Sequence, residues 1–251
     1  MKMSALFFLG ATAMTVSARD LATDRPDTTE SPVTVPKGRF QIEAEALAHS
    51  WNDGRSASWT VGESLLKYGV TDRLDVHLNV PVYARLRGDD GKWAEGFGDL
   101  ALRMKYNLWG NDEGRSALAV LPYLTAPTAD DDVGAEAWEF GVAFPFSLDL
   151  NETLSLGHQQ QFDWLDDGSG GHDFEWLQSV VLGVALTEKA GVFAEAVTVL
   201  HFEGDRTTDV SVNVGGTYQF TPDCQLDAGV RVGLAGEVDD VQLFLGWSQR
   251  F

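Results

Sequence analysis

Positive charge is scarce in this chain, cysteine nearly absent, and long apolar runs are missing once the N-terminus is passed. Eighteen Lys and Arg stand against 38 Asp and Glu, a formal charge of −20. So acidic a chain repels phosphate backbones, which excludes DNA and RNA as partners. The one cysteine, Cys224, can form no intramolecular disulfide, and no thiolate metal site is available. Beyond residue 18 no run of about 18 apolar residues exists, which excludes a spanning helix. Any membrane crossing falls to strands, whose interleaved polar residues average out of a hydropathy window. Gly168 to Gly171 has no following Lys and no strand-to-helix setting, which excludes a phosphate loop. Asp130-Asp131-Asp132 and Asp166-Asp167 with Asp173 lack the twelve-residue calcium spacing and read as solvated loops. Neither a cofactor nor a metal is expected.

Met1 to Ala18 has the layout of a secretory signal: Lys2, an apolar core from Ala5 to about Met14, then Val16-Ser17-Ala18 as a small-residue cleavage site. Its removal would take away one Lys and no acid, leaving 17 basic against 38 acidic residues and a charge near −21. Residues 19–37 follow without apolar periodicity. Pro26, Pro32 and Pro36 forbid a regular helix there and supply few ladder donors. This segment is expected to be an extended periplasmic leader or a plug inside a larger structure.

From Gly38 to Phe251 the chain alternates apolar and polar residues in twelve runs, about 38–50, 58–69, 73–86, 97–109, 115–125, 134–149, 153–165, 172–186, 191–203, 209–220, 225–235 and 239–251. Leu74, Val76, Leu78, Val80 and Val82 share one face of the third run, and Leu100, Leu102, Met104, Tyr106 and Leu108 one face of the fourth. Connections after even runs are short, such as Val70-Thr71-Asp72; those after odd runs are mostly longer and polar, such as Arg87 to Gly96. That alternation matches the short periplasmic turns and longer external loops of an outer-membrane barrel. Spanning strands leave no tolerable free edge in hydrocarbon, so the sheet must close. The expected fold is all-β: a closed antiparallel transmembrane β-barrel of about 12 strands over residues 38–251. Tryptophans near run ends, among them Trp51, Trp109 and Trp138, suit interfacial girdles.

The last run ends on an aromatic residue, with Trp247 four positions before Phe251. It resembles the C-terminal signal read by the barrel-assembly machinery, which makes that machinery and outer-membrane lipid expected partners. The opening, Thr23-Asp24-Arg25-Pro26-Asp27, Thr29-Glu30-Ser31-Pro32, Val35-Pro36-Lys37-Gly38 and Gln41-Ile42-Glu43, is similar to that of the outer-membrane family labelled MetA-pathway of phenol degradation. Tyr68 to Asp75, and Gly96 to Leu100 with Arg103 to Tyr106, resemble its second hairpin and fourth strand. The resemblance implies a transporter of the outer membrane, with a link to aromatic compounds that rests on the family's label.

The inward phase is charged. Glu43, Glu45, Glu63 and Lys67 come from the first two runs, Arg73, Asp75 and Arg85 from the third, Asp99, Arg103 and Lys105 from the fourth. Glu139, Glu175, Glu195, Asp227 and Arg231 come from later runs. Arg73, Arg103 and Lys105 facing the acids of the first run suggest a constriction with a transverse field. Barrels of about 8 strands are filled by side chains and those of about 16 to 18 hold a channel, so twelve allows either a narrow passage or a salt-bridged plug. His158 falls on the outward phase, between Leu156 and Gln160 with no serine beside it, so no hydrolytic triad assembles and an enzyme is not expected. The expected function is a passive channel for small molecules; the alternatives are a structural or surface-interaction barrel with a closed lumen and, further off, a lipid-modifying enzyme.

Overall fold

Among the described residues, thirteen segments form strands and none forms a helix. The computed structural model describes residues 19–251 except 54, 89, 113, 131, 132, 204 and 205. The proposed secretory signal over residues 1–18, and Asp131 and Asp132 of the acidic loop, lie outside the described residues. The strands are β1 (Phe40–Asn52), β2 (Arg55–Gly69), β3 (Leu74–Arg87), β4 (Trp93–Gly96), β5 (Leu100–Trp109), β6 (Ser116–Ala126), β7 (Glu139–Asp149), β8 (Leu154–Asp166), β9 (His172–Ala185), β10 (Ala190–His201), β11 (Thr207–Thr221), β12 (Cys224–Ala235) and β13 (Val241–Arg250). The long strands pair antiparallel with their neighbours, and β1 pairs with β13 from Gln41↔Arg250 to Trp51↔Val241. The ring is therefore closed by twelve strands. Closure gives every ladder group a partner without water, as a hydrocarbon setting requires.

The thirteenth strand, β4, pairs only with the end of β3, from Ala84↔Gly96 to Arg87↔Trp93. It lies in the expected connection from Arg87 to Gly96, and the strand of the fourth run begins at Leu100 rather than 97. The reason is a side-chain lattice: Asp130 Oδ2 accepts the Phe97 N–H at 2.8 Å, and Asp99 accepts the N–H groups of Thr128, Ala129 and Ala135. The same lattice, with Asp166 Oδ2 accepting from Glu136 and Ala137 at 2.9 Å, keeps residues 134–138 in the loop and starts β7 at Glu139.

The interior is inverted relative to a water-soluble protein. Lys67, Asp75, Lys105, Asn107 and Asn213 are fully buried on the inward face, while Leu102 is 57%, Leu245 48% and Val214 47% exposed on the outer face. Such an arrangement places apolar side chains where lipid tails lie and leaves polar ones to satisfy each other inside.

The phase does not run unbroken through every strand. Gly62 adopts φ +72°, and on either side of it Thr60 and Glu63 both point inward: Thr60 Oγ1 donates to Glu45 at 2.8 Å and Asn79 donates to Glu63 at 3.4 Å. Register is kept across it, with Glu45↔Glu63 and Ala48↔Thr60 on one side and Glu63↔Pro81 and Val61↔Tyr83 on the other, and toward the long-loop rim odd positions face out. His49 and Trp59 stack there with centroids 3.6 Å apart, and Arg85 sits opposite Trp59 in the ladder.

Small inward residues give the wall room. A Cβ on Gly229 would meet the Phe244 ring at 2.5 Å and the Val214 carbonyl at 2.7 Å. Gly229→Val is expected to destabilise the barrel by about 1–3 kcal/mol through overpacking, seen as a lower urea midpoint in detergent micelles. Parental stability in that variant would contradict the packing described.

Candidate functional site

Residues 19–37 occupy the lumen. The leader enters at the short-turn rim, rises to an apex near Arg25 to Glu30, and returns to the same rim before β1. Arg19 fastens the base, donating to Thr34 O at 3.2 Å and Asp72 O at 2.9 Å and pairing with Asp112. With three prolines and no ladder of its own, the leader takes backbone partners from wall side chains. Glu43 of β1 accepts the N–H groups of Asp24 at 2.7 Å and Arg25 at 3.1 Å. Glu195 of β10 accepts from Thr28 N at 2.9 Å, Thr29 N at 2.7 Å and Thr29 Oγ1 at 2.7 Å, and Asn213 completes its shell. Gln159 of β8 accepts from Glu30 N at 2.9 Å, Asn111 from Thr34 N at 2.9 Å, and Asp75 of β3 from Val35 N at 2.7 Å.

Three ion-pair groups pin the apex. Asp24 receives Lys67 of β2 at 2.7 Å and Lys105 of β5, while Lys67 also reaches Glu43 at 2.8 Å. Arg25 spans Asp227 of β12 at 2.9 Å and Glu45 of β1 at 3.3 Å. Glu30 pairs with Arg103 of β5. Burial would raise the Asp24 carboxyl; Lys105 and Lys67 outweigh that and hold it below the usual carboxylate range, so it stays ionised at neutral pH.

The inward residues named from sequence fall into three places. Glu43, Glu45, Lys67, Asp75, Arg103, Lys105, Glu195 and Asp227 meet the leader directly, and Arg231 joins them through Thr28 Oγ1 at 3.4 Å and Asn213 at 3.1 Å. Glu63 lines a small cavity above the apex, beside Asn79. Nearer the long-loop rim, Glu175 bonds His201 at 2.7 Å, Glu139 accepts from Asp166 N at 3.1 Å, and Asp99 organises the loop described above. Two expectations need correction. Arg73 precedes β3 in an exposed turn, outside the cluster, and Arg103 and Lys105 meet the leader's Glu30 and Asp24 without it. Arg85 faces out, because the phase reverses in the row of Gly62, and pairs with Glu95 at 3.4 Å, 4.7 Å from the Trp93 ring.

Sequence reasoning missed the leader's own Asp24, Arg25 and Glu30 as counter-ions, and the neutral acceptors and donors Gln41, Asn107, Gln159, Ser179 and Asn213. Their shared inward phase was a signal for them: amides and hydroxyls at the centre of spanning strands need partners inside. At the C-terminus Trp247 stands on the outer face. Phe251 donates its N–H to Phe40 O at 2.7 Å, and its carbonyl accepts from Arg39 Nε.

The leader divides the free space. A cavity of about 460 Å³ lies on the short-turn side, against Thr23, Arg25, Asp27, Ser155, Gly183 and Phe193. A second of about 160 Å³ lies beyond the apex, against Asp27, Glu30, Glu63, Leu65 and Arg103. Arg25 and Asp27 line both, so the apex is the partition. His158, the outward histidine, gives its ring nitrogens to the Ser179 carbonyl and the Gln160 amide, with no hydroxyl among them.

A family model described as "Putative MetA-pathway of phenol degradation" matches residues 23–251. The fold is similar to that of the COG4313 outer membrane channel from Pseudomonas putida F1, with TM-score 0.66 and 18% identity over 90% of this chain and 99% of that one. It is also similar to the NanC porin, with TM-score 0.57 and 10% identity over 83% and 98% of the two chains. The translocator domain of autotransporter NalP from Neisseria meningitidis matches with TM-score 0.50 and 13% identity over 86% and 90%. No curated protein matches the sequence. At these identities the likeness carries the fold of an outer-membrane barrel.

Lys67 is the cation on which two buried carboxylates depend. Lys67→Met is expected to cost about 3–5 kcal/mol, the range for stripping a buried ion cluster of one partner. Adding Glu43→Gln should recover part of the loss, since Asp24 keeps Lys105 whereas Glu43 has no second cation among the described residues. Urea unfolding in micelles of both variants checks this; strictly additive losses would contradict the cluster.

Proposed function

The chain belongs to the family described as "Putative MetA-pathway of phenol degradation", and on that premise we propose that it is a passive outer-membrane channel for small molecules, gated by its own leader. In this reading residues 1–18 direct secretion, the barrel-assembly machinery reads Trp247 and Phe251, short turns face the periplasm and long loops the exterior. Hydrophobic and aromatic solutes are the class the family's description suggests for the cargo. Gating is supported by the leader itself. Cavities on its two sides are separated by one stretch of chain, Arg25 to Asp27. That stretch is held by side-chain bonds, while the wall is held by continuous ladders. Segments without ladder bonds open at lower free energy than the strands around them.

The same occlusion favours a second reading, a barrel with a permanently closed lumen that serves structure or surface contact. The two readings part on one experiment. Deletion of residues 19–36 is expected to raise single-channel conductance in planar bilayers severalfold over the full chain, and to speed liposome swelling in small neutral solutes. A folded deletion variant that conducts no better than its parent would leave the closed barrel as the reading.

A further inference from the structure

The outer face of β7 to β10 carries an anomaly at its middle. Leu154, Leu156, Phe162 and Trp164 of β8 point outward, as do Phe174, Trp176, Val180 and Leu182 of β9. Between them, midway along both strands, stand His158, Gln160 and Gln178. Their outward direction follows from their neighbours, because Gln159 and Ser179 reach the leader inside. Polar side chains at the centre of a lipid-facing surface are costly, and they point to something other than lipid against them.

Three of the four polar groups here satisfy one another. The His158 Nδ1–H donates to Ser179 O at 2.8 Å, its Nε2 accepts from Gln160 Nε2 at 2.8 Å, and Gln160 Oε1 accepts from Trp176 Nε1 at 2.6 Å. Gln178 is the remainder. Its Oε1 receives only a long contact from Gln160 at 3.5 Å, and its Nε2 has no acceptor among the described residues. Hydrocarbon supplies none, so two N–H donors at mid-membrane call for an acceptor on another molecule.

We propose that this face binds a second copy of the chain, with Gln178 at a two-fold axis along the membrane normal. A primary amide is self-complementary: across such an axis each Gln178 donates to the carbonyl of the other and accepts in return. The surface relief agrees. The β8 flank carries larger side chains, with His158 and Phe162, while the β10 flank carries small ones, with Ala194, Ala196 and Thr198, and Thr198 lies directly beside Gln178 in the ladder. The two-fold sets the β8 flank of one copy against the β10 flank of the other, the close approach that small residues permit in membranes.

The test uses the full chain in lipid nanodiscs and vesicles. In a Cys224→Ser background, Gln178→Cys should form a disulfide-linked dimer under mild oxidation, whereas Ala228→Cys, outward on distant β12, should not. Gln178→Leu should remain heat-modifiable, and so folded, yet dissociate about tenfold more readily by native mass spectrometry. A monomer at every loading, equal cross-linking at residues 178 and 228, or an unchanged dimer in Gln178→Leu would each overturn the proposal. The outcome is independent of conductance, which reads the lumen.

Discussion

A peptide group in hydrocarbon has no water to bond, and this one constraint shapes the chain. Strands can meet it only by pairing all the way round, which β1 and β13 accomplish by joining the two ends of the sequence. Closure then divides every strand into a face that meets lipid and a face that cannot. Leu102 and Leu245 are exposed because the outside is apolar, and Lys67 and Asp75 are buried because the inside is where polar groups can answer one another.

Once the interior is polar, it needs contents. A lumen lined by Glu43, Lys67, Asp75, Lys105 and Glu195 would carry unneutralised charge and unanswered acceptors if nothing filled it. The leader supplies both kinds of partner, the carboxylates of Asp24 and Glu30 for the wall's cations, and its own backbone N–H groups for the wall's acids. Prolines suit this arrangement. They keep the segment from forming a helix or a strand that would satisfy itself, so its donors stay available to the wall.

Much of this was legible in the sequence. Strict alternation located all twelve long strands, because a period of two leaves a residue no choice of face once one face is lipid. Three things were not legible. The phase reversal at Gly62 rests on a single positive φ in a chain of 26 glycines, and it carried Arg85 to the outside. The leader's partners lie far away in sequence, as Arg25 and Asp227 do, and no local pattern records a contact across 202 positions. The late starts of β5 and β7 were hidden for a related reason: Asp99, Asp130 and Asp166 draw alternating residues out of the ladder through side-chain bonds.

The geometry of the apex also ties the leader to the closed ring. Arg25 bridges Glu45 on β1 and Asp227 on β12, and β13 lies between those strands in the ring. The bridge spans the seam at which β13, the last strand of the sheet, pairs with β1, the first. In an unclosed sheet, Arg25 can find one of its two carboxylates and Asp24 can find the cations of β2 and β5, each in a water-filled setting where an ion pair contributes little. Closure brings the two halves of the site together and removes the solvent, so the leader's full hold on the lumen requires the closed wall. A polar plug stays soluble while the chain is unfolded and becomes a partition when the ring shuts, which a plug of leucines, drawn to every apolar strand on the way, would not do.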